Sequence, residues 1–125
     1  MKKVISTKGA PGAIGPYSQA IEANGFVFVS GQLPIDPETG DFPQGDIGVL
    51  TDRAIRNLLA ILGEAGLGAK DVVKTTVFLA DMADFAAMNE VYAKYFTGEC
   101  PARSAVQVAK LPKGGRIEIE AIAAR

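Results

Sequence analysis

The sequence predicts an α+β domain: one mixed β-sheet with two helices packed on one of its faces, in the order β-β-β-α-β-α-β-β. Three observations carry this expectation. Short segments alternate residues with the period of two that suits a strand, and two longer segments repeat apolar residues at helical spacing. Clusters of glycine and proline punctuate the chain between them. With 125 residues, 48% of them hydrophobic, the chain can bury a core as a single domain spanning residues 1–125.

Lys3 to Ser6 reads as an edge strand. "GAPGAIGPYSQA" follows as a loop leading into a short strand near Ala20 to Glu22. Asn24-Gly25 is a hairpin-turn pair, and "FVFVSGQ" after it is a strand with two apolar faces, Phe26 and Phe28 on one side, Val27 and Val29 on the other. "PIDPETGDFPQG" is full of turn residues. Asp46 caps a helix running to about Ala65, with Ile47, Leu50, Ala54, Leu58 and Ile61 along one face and Gly66 and Gly68 ending it. "VVKTTVFL", Val72 to Leu79, is a strand. Asp81 caps a second helix whose stripe is Phe85, Met88, Tyr92 and Tyr95, ending near Gly98 and Pro101. Two alternating strands, in "PARSAVQV" and "RIEIEAIA", close the chain. Two helices cover only one face of so wide a sheet, so a partly apolar second face calls for another chain. The sequence therefore predicts an oligomer; the alternative is a lone domain with a few exposed aromatics.

Composition removes several function classes. The net charge is −1 with no run of like charge, which argues against binding nucleic acid or an anionic membrane. No apolar stretch is long enough for a signal peptide or a membrane span, so a cytoplasmic location is expected. With no histidine and a single cysteine, Cys100, neither a Ser-His-Asp triad nor a Cys/His zinc site can be built. No loop clusters acids with ligand spacing, so no metal is expected. Cys100 has no histidine to lower its pKa and reads as an ordinary thiol. Gly9, Gly12 and Gly15 are not a phosphate cradle, "KGGR" is a turn, and nothing marks Lys74 as a Schiff-base lysine. Acid–base chemistry falls to Asp, Glu, Lys, Tyr or backbone groups.

The charged positions of the last two strands are the remaining signal. If these strands pair as a hairpin with Val106, Val108, Ile117 and Ile119 under the helices, the four-residue loop Leu111 to Gly114 sets Glu120 opposite Ala105. Arg103 then lies diagonal to Glu120, about 7 Å away at the backbone. Such a pair on the uncovered face has two explanations. One is an ion pair that fixes register; the other is a pocket where Arg103 grips a substrate carboxylate and Glu120 handles a proton or a water. Glu118, opposite Gln107 in this register, and Arg116 read as rim or interface charges. Tyr17, Ser30 and Asn89 are further polar candidates, each with a structural alternative as loop plug, strand-end turn former or solvated helix position.

The motifs "IGPYSQA", "VFVSGQLPIDPETG", "DVVKTTVFLADMADFAAMNEVYAKYF", "PARSAVQVAKLP" and "IEIEAIA" together resemble the RidA (reactive intermediate deaminase, formerly YjgF) family, in family order and over nearly the whole chain. The resemblance implies a chorismate-mutase-like fold and a homotrimer with sites in the clefts between subunits. It implies hydrolysis of enamine and imine acids such as 2-aminoacrylate and 2-iminobutanoate to 2-oxo acids and ammonia, without a cofactor. It places the carboxylate-binding arginine on Arg103 and the water-orienting glutamate on Glu120, with Tyr17, Ser30, Gly31, Asn89 and Ala105 at other cleft positions. Ala105 stands where many members carry cysteine, so thiol-dependent control there is not expected. Two other readings use the same clefts or relatives: a non-catalytic trimer that senses 2-oxo acids, and a ribonuclease or translation inhibitor. The acidic balance and the missing histidines make the latter the weakest.

Overall fold

The computed structural model describes residues 1–125. The elements follow in the expected order: β1 (Lys3–Ile5), β2 (Ala20–Ala23), β3 (Phe26–Gln32), α1 (Ile47–Glu64), β4 (Val72–Leu79), α2 (Phe85–Tyr95), β5 (Ala102–Gln107) and β6 (Ile117–Ala124). Asn24 and Gly25 turn β2 into β3 with φ of 51° and 80°, the left-handed pair that a tight hairpin requires. The Asp46 carboxylate accepts a hydrogen bond from the Val49 amide at 3.1 Å and starts α1. Asp81 caps one step earlier than expected: it accepts from the Ala83 amide and starts a single 3-10 turn, Met82–Asp84, from which α2 continues at Phe85.

The core lies between the helices and one side of the sheet. Ile55, Leu58, Ile61 and Leu62 of α1 are buried against Val27 and Val29 of β3, Val77 and Leu79 of β4, and Ile117 and Ile119 of β6. Each fully buried Ile or Leu contributes about 1.5–3 kcal/mol relative to exposure. From α2, Met88 and Tyr92 complete the layer, while Phe85 and Tyr95 pack at its margin.

The strand order is β1-β2-β3-β6-β4-β5, and here one expectation fails. β5 and β6 are not a hairpin, because β4 lies between them. α2 carries the chain across the sheet, so β5 runs parallel to β4 at the edge; β6 then returns antiparallel on the other side of β4, between it and β3. A strand with Ile117, Ile119, Ala121 and Ala123 all buried on one side suits that central place. The register changes accordingly: Glu120 is level with Thr76, and Ala105 with Val77. Since Val77 is buried under the helices, Ala105 and Arg103 share the helix side, while Val106, 43% exposed, faces away. The expected placement of Val106 beneath the helices is therefore reversed.

The other side of the sheet has no helix over it. Val4, Ile21, Phe28 and Ile122 pair in register across four strands as an apolar stripe, with Phe28 45% exposed. The predicted uncovered and partly apolar second face is present.

Candidate active site

Arg103 sits on edge strand β5, level with the buried Thr75 of β4. Its guanidinium lies 4.7 Å from the centroid of the Tyr92 ring and 5.4 Å from that of Phe85. Its Nη1 donates to Asn89 Oδ1 at 2.7 Å. Phe85, Asn89 and Tyr92 fall on one face of α2 at spacings of four and three, so a single helical stripe cradles the fork. The Tyr92 and Thr75 hydroxyls share a 2.7 Å hydrogen bond that anchors the ring from below. Burial, the largest cause, pushes the Tyr92 phenol above its ordinary pKa of 10, against the pull of Thr75 and Arg103, and so keeps it neutral. The chain's ion pairs join Arg56 to Asp52, Arg116 to Asp84 and Arg125 to Glu22; none involves Arg103. A planar, two-pronged cation is thus oriented by a neutral amide and two rings, with no carboxylate to neutralise it. Ala105 lies two residues further along the same side of β5.

A second group of candidates gathers elsewhere. Tyr17, Ser30 and Gly31 line a hollow of about 480 Å³ together with Ile14, Lys113 and Glu118. A bulge in β3 between Val29 and Gln32 brings Ser30 and Gly31 to its wall. The Ser30 hydroxyl donates to the Ser18 carbonyl at 2.7 Å, which fastens the preceding loop to the strand. A Cβ on Gly31 would stand 2.0 Å from Glu118 Oε2, so only glycine admits the carboxylate here. Glu118 joins none of the ion pairs. Burial first, and the neighbouring Glu120 charge second, raise its pKa above the ordinary 4.5.

Glu120 faces the same open side of the sheet but is exposed, in a separate hollow of about 160 Å³ with Phe28, Lys74 and Thr76. The structure therefore brings Tyr17, Ser30 and Gly31 to Glu118, whose sequence pattern predicts a rim or interface charge. The available signal was the glycine inside "VSGQ", since a glycine within a strand marks a close approach. Which side chain approaches it depends on the β3–β6 register. Arg103, Asn89 and Ala105 form the other group. Within one protomer the two groups lie on opposite sides of the sheet, so the Arg103–Glu120 diagonal on one face does not exist.

A family model described as endoribonuclease L-PSP matches residues 7–125. The chain belongs to that family. The motifs of the RidA and YjgF proteins found in its sequence point the same way. A RutC family protein of Pyrococcus abyssi is 59% identical over 98% of this chain and 96% of its own length. The 2-iminobutanoate/2-iminopropanoate deaminase of Mus musculus is 52% identical over 98% of this chain and 91% of its own. Among solved structures, E. coli TdcF with bound serine superposes with a TM-score of 0.94 at 48% identity, covering 98% of each chain. The α+β architecture of one mixed sheet and two helices is thus that of the L-PSP family. None of this chain's helices is long and apolar enough to cross a membrane.

Proposed function

We propose that this protein hydrolyses reactive enamine and imine acids, such as 2-aminoacrylate and 2-iminobutanoate, to 2-oxo acids and ammonia, at clefts shared by neighbouring copies of a homotrimer. One observation carries the reading: an oriented arginine and a half-buried carboxylate, neither of them in an ion pair, occupy opposite sides of one protomer's sheet. Each lacks what the other supplies, and only a second copy can bring them together. The name of the mouse relative supports the chemistry, and the uncovered apolar face supports the assembly.

In this mechanism the Arg103 fork grips the α-carboxylate of the imine tautomer by two parallel hydrogen bonds. Glu118 of the adjoining copy, beside Ser30, Gly31 and Tyr17, orients a water toward the imine carbon; it takes this role in place of Glu120, which lies outside that hollow. The C–O bond forms as the C=N π pair moves to nitrogen, giving a carbinolamine. Proton transfer to nitrogen breaks the C–N bond and releases ammonia, and loss of the hydroxyl proton leaves the 2-oxo acid. The reaction consumes one water and needs no electron acceptor. Protonated imine is already electrophilic, so orientation supplies much of the acceleration, an effect that can reach several kcal/mol. A carboxyl with a raised pKa is suited to returning the proton. The exposed, unpaired Cys100 fits a reducing, cytoplasmic setting.

The test is a coupled assay with a threonine dehydratase. The wild-type protein speeds 2-oxobutanoate release, Arg103→Ala loses most of that effect while keeping its assembly, and Arg103→Lys is impaired because a point charge lacks the fork. Normal turnover by Arg103→Ala would refute the assignment. The serine bound to TdcF keeps a second reading in view, a metabolite-binding trimer without catalysis. Unchanged release in the presence of the wild-type protein, together with measurable binding of 2-oxobutanoate, would favour it.

A further inference from the structure

The loop from Thr7 to Ser18 carries Tyr17 to the Glu118 hollow with little secondary structure of its own. Its one backbone–backbone hydrogen bond joins the Tyr17 amide to the Gly15 carbonyl at 2.8 Å. Ile14 at its tip is 91% exposed and Tyr17 is 54% exposed, so packing within the chain does not hold the outer half. The loop is held from its base. There the Gln19 side chain, only 4% exposed, accepts from the Thr7 amide at 2.7 Å through Oε1. Its Nε2 donates to the carbonyls of Thr7 at 3.1 Å, Ala10 at 3.3 Å and Pro11 at 2.8 Å. One amide therefore joins the start of the loop to its end, and buried Ala10 seats the same segment in the core. No other side chain spans the loop in this way; the Ser30 hydroxyl fastens only its last residue, Ser18.

We infer that Gln19 is a positioning residue for the proposed site: by closing the base of the Thr7–Ser18 loop it holds Tyr17 over the Glu118 hollow. The inference rests on the reading of that hollow as half of the active site. Gln19 touches neither substrate nor water in this scheme; it acts through Tyr17. The alternative is a buried amide that contributes to stability and nothing else. Buried amides of that kind satisfy their neighbours without selecting a loop conformation. Here all four bonded groups belong to the loop's entry, Thr7 to Pro11, and Tyr17 is two residues from Gln19. Loss of the amide frees the segment that carries the ring.

The experiment combines hydrogen exchange with a double-mutant cycle. In Gln19→Leu, the hydrogen-bonded Gly9 and Tyr17 amides of the loop exchange about tenfold faster or more while those of β4 and β6 are unchanged. KM for 2-iminobutanoate rises about tenfold, with kcat within about twofold. In a Tyr17→Ala background the same substitution changes KM by less than about twofold, because its effect passes through the missing ring. Thr51→Val, which removes a buried hydroxyl bonded to the Ile47 carbonyl within α1, lowers the melting temperature without moving KM and so marks a purely structural loss. Unchanged exchange at Gly9 and Tyr17 overturns the inference, as do additive KM effects, or a KM that responds to Gln19→Leu but not to Tyr17→Ala. If Gln19→Leu does not fold, Gln19→Glu keeps the acceptor for Thr7 and removes the donors, and is read the same way. If the wild-type protein has no deaminase activity, the functional reading falls by itself. Exchange at Gly9 and Tyr17 and calorimetric binding of 2-oxobutanoate through the same cycle then decide the role of Gln19.

Discussion

Glu118 and Glu120 show how two carboxylates two residues apart on one strand acquire different surroundings. Glu118 is half-buried against Gly31, while Glu120 stands exposed near Lys74. Glu118→Gln should lower kcat by about a hundredfold or more, the usual range for a lost general acid–base group, whereas Glu120→Gln should stay within about fivefold. Comparable losses in the two variants would return the role to either residue. Stability gives an independent readout. The Glu118 pKa is raised in the fold, so its contribution is fully present below the ordinary value of 4.5 and is lost as pH rises through the folded value. Glu118→Gln cannot suffer that loss. It should melt above the wild type at pH 7, with the gap closing below about pH 4.5; a gap independent of pH would contradict the assigned burial. At this scale the structure gathers Arg103 and Asn89 in one group and Tyr17, Ser30 and Gly31 in another. Alternation places Glu118 and Glu120 on the same face and leaves their neighbours undefined, so the sequence does not tell the half-buried carboxylate from the exposed one.

The element that separates the two carboxylates is the bulge in β3. It turns Gly31 toward β6 and leaves room for one side chain, and the Glu118 carboxylate occupies that room. Gly31→Ala puts a methyl group within 2.0 Å of Glu118 Oε2, so the carboxylate must swing aside. Because only the far end of one side chain has to move, the fold should survive with a melting point within a few degrees of the wild type. Activity should fall at least tenfold, as expected for a misplaced acid–base group. An active Gly31→Ala variant, or one that fails to fold, would show that the close approach matters for something else. Local sequence signals located the helices and most strands because periodicity and caps act within a few residues: Asp46, Gly66 and the Asn24-Gly25 turn all do what their chemistry predicts. Strand neighbours are a different matter. β5 and β6 are adjacent in sequence and alternate alike, yet α2 sets β5 beside β4 and leaves the centre of the sheet to β6. Alternation alone does not encode that choice; it follows from the crossover and from the larger apolar face of β6, which suits the middle of the sheet.

Across the whole molecule, this topology sets Arg103 and the two glutamates, which sequence pattern would place on one face of a hairpin, on opposite sides of the sheet. Arg103 is cradled on the helix side at the edge of the sheet, and Glu118 lies on the open side, where the stripe from Val4 to Ile122 has no cover within the chain. The uncovered, partly apolar second face was legible in the sequence, from the two apolar faces of "FVFVSGQ" and the presence of only two helices. The side of the sheet that Arg103 faces was not, because it depends on β5 lying beside β4 rather than pairing with β6.

The direct test of the proposed division of each cleft between two copies is subunit complementation. Arg103→Ala and Glu118→Gln, each nearly inactive alone, are unfolded together in equal amounts, refolded and assayed for release of 2-oxobutanoate. If each cleft takes Arg103 from one copy and Glu118 from the next, random mixing in a closed ring makes about a quarter of the clefts intact, and about a quarter of wild-type activity returns. If both groups act from the same chain, every cleft in the mixture carries a defect, and activity stays at the level of the separate variants.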